Sequence, residues 1–98
     1  MYMKIHQTDL GRIVAVCDNK LIDTILSEGS KQIDLKNYKS FYVGKEVGAD
    51  EVKKALDACS SANLIGKEAV EIAVLLELVD EKTIGYINGI PHVQIYKL

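Results

Sequence analysis

Gly66 marks the tightest constraint in this chain, because it stands between an aliphatic pair and a helix that is apolar almost all round. The segment reads Ala62-Asn63-Leu64-Ile65-Gly66-Lys67-Glu68-Ala69-Val70. From Lys67 to Val79 polar side chains occur only at Lys67, Glu68, Glu71 and Glu77. A helix of that composition has to be buried on most of its circumference, against a sheet and other helices together. The pattern predicts a helix over Lys67 to Val79. Asn63 is then read as closing a turn between two helices, with Leu64 and Ile65 plugging the core.

The rest of the chain supplies the partners for that helix. Met3 and Ile5 alternate with Tyr2, Lys4 and His6, the two-residue period of a strand with one face inward. After the turn Thr8-Asp9-Leu10-Gly11, the run Arg12 to Cys17 is apolar on both faces and predicts a central strand, antiparallel to the first. Leu21, Ile22, Ile25 and Leu26 fit one stripe of a short helix, capped by Asp18 or Asn19 and ended at Gly29. A short strand is expected at Gln32 to Leu35 and a clearer one at Phe41 to Val43, with a bulge or close approach at Gly44 and Gly48. Val52, Ala55, Leu56 and Cys59 line one face of a helix behind Asp50. Asn88-Gly89 between two apolar runs predicts a type I′ hairpin, since both residues tolerate positive φ. Pro91, which has no ladder donor, argues that the last strand is an edge.

These elements assemble into an α+β two-layer sandwich with a mainly antiparallel sheet and about three helices, in one domain over residues 1–98. With 48% apolar residues, 27% charged and one proline, the chain has the composition of an ordered protein. The apolar run from Ile72 is too short to span a bilayer, which takes about 20 residues. The first residues carry no secretory signal, so the expected location is the cytoplasm and the expected state of Cys17 and Cys59 is reduced.

Four stretches, Met3 to His6, Arg12 to Asp18, Ala62 to Val70 and Ile90 to Tyr96, together resemble a small archaeal family known only as domain of unknown function 424. The resemblance runs over nearly the whole chain. It implies an archaeal cytoplasmic protein of compact two-layer α+β fold, and it implies no activity.

Three sets of residues carry chemistry. The stretch from Lys31 to Lys45 sets Lys31, Lys36, Lys39 and Lys45 against a lone Asp34, with Tyr38, Phe41 and Tyr42 interleaved. Lysines attract phosphates and exposed aromatics stack on unpaired bases, so Lys31, Lys36, Tyr38, Lys39, Tyr42 and Lys45 form a candidate surface for RNA or an RNA–protein assembly. Tyr2, Lys4 and His6, with His92, Gln94, Tyr96 and Lys97, extend it if both strands show those faces on one sheet. Against this stands a net charge of -2, where RNA-binding domains are usually basic as a whole. The competing reading is an ordinary solvated loop with Phe41 and Val43 in the core. Asn63, Gly66 and Lys67 are a candidate anion site at a helix N-terminus. His6, Asp9 and His92 lack the spacing of a metal motif, and no nucleophile is paired with a base, so neither metal, cofactor nor catalysis is expected. The proline-bearing last strand and the aliphatic third helix point alternatively to a protein-interaction or oligomerising domain.

Overall fold

The computed structural model describes residues 1–97. Eight strands and two α-helices follow one another as β1 (Tyr2–Thr8), β2 (Gly11–Cys17), β3 (Ile25–Glu28), β4 (Lys31–Asp34), β5 (Lys45–Glu46), α1 (Ala49–Ala58), β6 (Ser61–Ile65), α2 (Lys67–Leu75), β7 (Gly85–Ile87) and β8 (Ile90–Tyr96). Six strands form one sheet in the order β5-β1-β2-β6-β8-β7. Every pairing is antiparallel except β2 with β6, at the centre. The fold is thus the expected α+β class, with both helices on one face of the sheet.

That face follows from the side-chain period of two. Val14, Val16, Ala62, Leu64, Val93 and Ile95 point to the helices and meet Val52, Leu56, Ala69, Val70 and Ala73 in the larger core. The other face carries a smaller core at one end only, where the β3–β4 hairpin brings Leu26 and Leu35 onto Cys17, Ile65 and Ile87. Leu35 and Leu56 are sealed from water, so truncating either to alanine costs about 2–5 kcal/mol.

Five expected features are built otherwise. The stripe Leu21 to Leu26 is not an α-helix but a 3-10 turn at Asn19–Leu21 followed by β3. Asp23 takes a positive φ of 70°, which breaks a helix, and Ile22, Thr24 and Ile25 are β-branched. Leu21 and Leu26 still reach the same core, because a turn and a strand satisfy that spacing as a helix would.

Phe41 to Val43 is not a strand. Lys39–Phe41 is a 3-10 turn, held onto β1 by Lys4 Nζ donating to the Ser40 carbonyl at 2.9 Å and His6 Nε2 donating to that of Phe41 at 2.9 Å. The close approach expected at Gly44 is real, since a Cβ there would lie 2.7 Å from the Met3 carbonyl oxygen.

Asn63 closes no turn. It lies in the middle of β6, whose residues face both cores. Pro91 is not in an edge strand, because β8 lies between β6 and β7. The Asn88-Gly89 turn has φ of 53° and 75°, as type I′ requires. In such a hairpin Ile87 and Ile90 exchange both ladder bonds, so Pro91 turns its nitrogen towards β6, beyond the last residue of that strand. Only its carbonyl is needed there, and it accepts from Gly66 N at 2.9 Å.

Helix α2 stops at Leu75, four residues before the expected end. Leu78 N donates to the Ala73 carbonyl and Glu77 N to that of Val74, both at 3.0 Å, with Glu77 at φ 58°. This is a Schellman closure with glutamate where glycine is usual, so the sequence held no signal for it.

Candidate functional site

Strand register fixes which side chains share the open face of the sheet, the one away from the helices. Lys4, Ala15, Asn63 and Gln94 lie in one row across β1, β2, β6 and β8. His6, Ile13, Ser61 and Tyr96 form the next row, and Tyr2, Cys17, Ile65 and His92 the row on the other side. The β3–β4 hairpin covers the row of Cys17 and Ile65, and the turn at Lys39–Phe41 leans over β1.

Between these covers lies a shallow depression of about 290 Å³, lined by Ile33, Tyr42, Asn63, Ile65, His92 and Gln94. Ala15, the neighbour of Asn63 in β2, is fully buried beside it. Asn63 and Gln94 are direct cross-strand partners, so two side-chain amides project side by side. The Tyr96 hydroxyl donates to Gln94 Oε1 at 3.1 Å, which steadies that amide, and the Tyr96 ring is 73% exposed. At the β1 side His6 stacks on Phe41 with centroids 4.5 Å apart, and Phe41 meets Tyr42 edge-on at 5.2 Å.

Charge in the depression is set by burial. His92 is held below its ordinary value by desolvation first and by the Lys31 ammonium second, so it is neutral near pH 7. The Tyr42 phenol is pushed up to about 12, chiefly by burial, and keeps its proton. The Cys17 thiol beneath is likewise raised to about 12, by burial and then by Asp18. It is therefore no nucleophile. The site offers amides, a neutral imidazole, a phenol and aromatic faces, which are hydrogen-bonding and stacking groups rather than acid–base machinery.

The residues of the expected basic surface are dispersed. Lys39 pairs with Asp23 at 3.0 Å and Lys45 with Glu51 at 3.3 Å. Tyr42 packs into the smaller core, whereas Tyr38 is 69% exposed. Lys31 reaches the field of His92 in β8, while Lys45 is in β5, four strand spacings or about 19 Å across the sheet. Lys36 follows the Asp34 turn, whose carboxylate accepts from Lys36 N and Asn37 N at 3.0 and 2.8 Å. Of that set, only Tyr42 lines the depression, and Lys31 is near enough to act on His92, which also lines it. Of the extension onto β1 and β8, Tyr2, Lys4, His6, His92, Gln94 and Tyr96 do share one face, whereas Lys97 does not, its Nζ donating to the Leu56 and Asp57 carbonyls of α1.

Asn63, Gly66 and Lys67 do not converge either. The Asp18 carboxylate, 3% exposed, accepts from Glu68 N at 3.0 Å and Ala69 N at 2.9 Å, and so fills the place an anion would take at the start of α2. Gly66 has φ 110°, and a Cβ on it would lie 2.2 Å from Asp18 Cγ. Asn63 faces the opposite side of the sheet. Asp18 was missed as the partner of α2, since only the parallel pairing of β2 with β6 brings the end of one strand to the end of the other. No group of three or more His, Cys, Asp or Glu among the described residues could hold a metal ion, and no helix of the described residues is long and apolar enough to cross a membrane.

The family described as protein of unknown function (DUF424) matches residues 5–98, and the chain belongs to it. A crystal structure of an uncharacterized conserved protein from Methanopyrus kandleri, an archaeon, is similar to the chain. It has a TM-score of 0.78 at 27% identity, over 97% of this chain and 89% of that one. No curated protein matches the sequence.

Proposed function

For this DUF424 member we propose a non-catalytic, cytoplasmic role as a binding module for single-stranded RNA or an RNA–protein assembly, acting through the open face of the sheet. The observation that carries the reading is the Asn63–Gln94 amide pair set beside the exposed Tyr96 ring. Amides present a donor and an acceptor to a base edge, and a tyrosine offers a face on which an unpaired base stacks. Lys31, close enough to His92 to act on its charge, supplies a phosphate contact. With few lysines at this face, stacking and hydrogen bonds carry more of the affinity than charge, which suits a chain of net charge -2.

Fluorescence anisotropy with a labelled unstructured RNA, across a salt series, tests the reading. Binding is expected with a shallow salt slope. Tyr96→Ala should weaken it by about 1–3 kcal/mol and Lys31→Glu should weaken it further, whereas Lys45→Glu should leave it unchanged. No binding at low salt, or binding indifferent to Tyr96 and Asn63 replacements, refutes it.

A further inference from the structure

We propose that a second copy of this chain docks at the β7 edge of the sheet, the two β7 strands pairing antiparallel about a two-fold axis at Tyr86. This surface is on the helix side of the sheet and is independent of the open face. β7 is the outermost strand, and the hairpin alternation that fixes Ile87 and Ile90 turns the Tyr86 N–H and C=O outward. An outward donor and acceptor on one residue is the element that a two-fold strand pairing satisfies reciprocally.

Beside that edge a groove of about 450 Å³ separates β7 from α2. Its walls are apolar, with Val74, Ile84 and Pro91, and two large apolar side chains stand exposed on it, Leu75 at 68% and Tyr86 at 53%. Exposed aliphatic and aromatic side chains on both walls of one groove are more than the scattered apolar residues of an ordinary surface.

Charge selects a copy of the same chain as the occupant. Gly66 N bonds to the Pro91 carbonyl, so the groove begins with Lys67 beside the hairpin, and it runs along α2 to Leu75 and Glu81. Its charged lining is thus a single cation, Lys67, at the hairpin end and two carboxylates, Glu71 one turn further along α2 and Glu81 at the far end. Antiparallel pairing of two β7 strands turns the Glu81 end of each groove towards the Lys67 end of the other, so the surface is complementary to its own two-fold image.

Sedimentation velocity over a concentration series is the test, with circular dichroism as the control for folding. The native chain is expected to show the mass of two chains at high concentration. Glu81→Lys and Lys67→Glu should each raise the dissociation constant roughly tenfold or more, and the double exchange should restore it. Tyr86→Pro, which removes the outward N–H, should leave a folded monomer. In the native dimer the Tyr86 amide should exchange hydrogen more slowly as concentration rises. A monomer at all concentrations overturns the proposal. So does a dimer indifferent to both charge changes, or a double exchange that fails to restore association.

Discussion

Replacing Asp18 by alanine removes the acceptor that holds the first turn of α2, and its cost can be worked from the geometry. Two backbone donors, Glu68 N and Ala69 N, bond to the carboxylate at 3.0 and 2.9 Å, and the group is 3% exposed. Hydrogen bonds to an ionised acceptor contribute about 1.5–3 kcal/mol each, which sets an upper range of roughly 3–6 kcal/mol. Part of this is offset, because the variant no longer buries a charge, a burden of several kcal/mol before pairing. Measured losses of helix caps, about 0.5–2 kcal/mol, set the lower range. Asp18→Ala should therefore lose about 2–3 kcal/mol in urea titration with an unchanged slope, and about 10–20 °C in Tm for a domain of this size.

Two companion results make the assignment specific. Phosphate or sulfate should raise the Tm of Asp18→Ala more than that of the native chain, since an anion can now take the vacated helix terminus. Gly66→Ala should cost less in the Asp18→Ala background than in the native chain, because the 2.2 Å approach to Asp18 Cγ has gone and only the strain of φ 110° remains. A loss below about 0.5 kcal/mol for Asp18→Ala, with additive effects at Gly66, would refute the account.

Other outcomes follow from the same geometry. The His92 ring should titrate below 6.5 by NMR, and Lys31→Met should move its midpoint up, as one of the two causes of the shift is removed. The unfolded chain binds that proton more readily than the folded one, so His92 stabilises the fold fully above pH 6.5 and less as pH falls towards the depressed value; a chemical-denaturation series over that window in native and His92→Gln chains should differ accordingly. Cys17, buried and with its thiol near 12, should resist alkylation until the chain unfolds, so modification at the native rate of an exposed cysteine would contradict its placement. Leu35→Ala should cost about 2–5 kcal/mol, as Leu56→Ala does; a loss well below that at Leu35 alone, in the same titration, would mean that the β3–β4 hairpin is not packed as described.

Much of the fold was legible in the sequence for local reasons. Asn88-Gly89 demands a tight turn because few other residue pairs accept two positive φ values, and the alternation at Met3 and Ile5 or the 3, 4, 7 spacing from Val52 to Cys59 leaves one choice of period each. Short apolar runs were the weak point. Leu21 to Leu26 has spacings that a helix and a turn-plus-strand satisfy equally, and Ala62 to Ile65 reads as a plug between helices or as a strand buried on both faces. The end of α2 at Leu75 was hidden because Glu77 adopts a conformation that its side chain does not announce.

The site divides the same way. The residue types of Tyr96, Gln94, Lys4 and His6 marked a conditional surface, and β1 and β8 do present them on one face. Which lysines contribute was not a sequence property, since Asp23 and Glu51 are far from Lys39 and Lys45 along the chain only in part, and pairing depends on where β3, β5 and α1 come to rest. Asn63 became a site residue because β6 threads between β2 and β8, which puts it in the Lys4–Gln94 row. Asp18 became the cap of α2 by the same crossover. Composition and periodicity fix what each segment can bury; the pairing of strands distant in sequence fixes which polar groups meet, because that choice is made by the packing of the whole sheet.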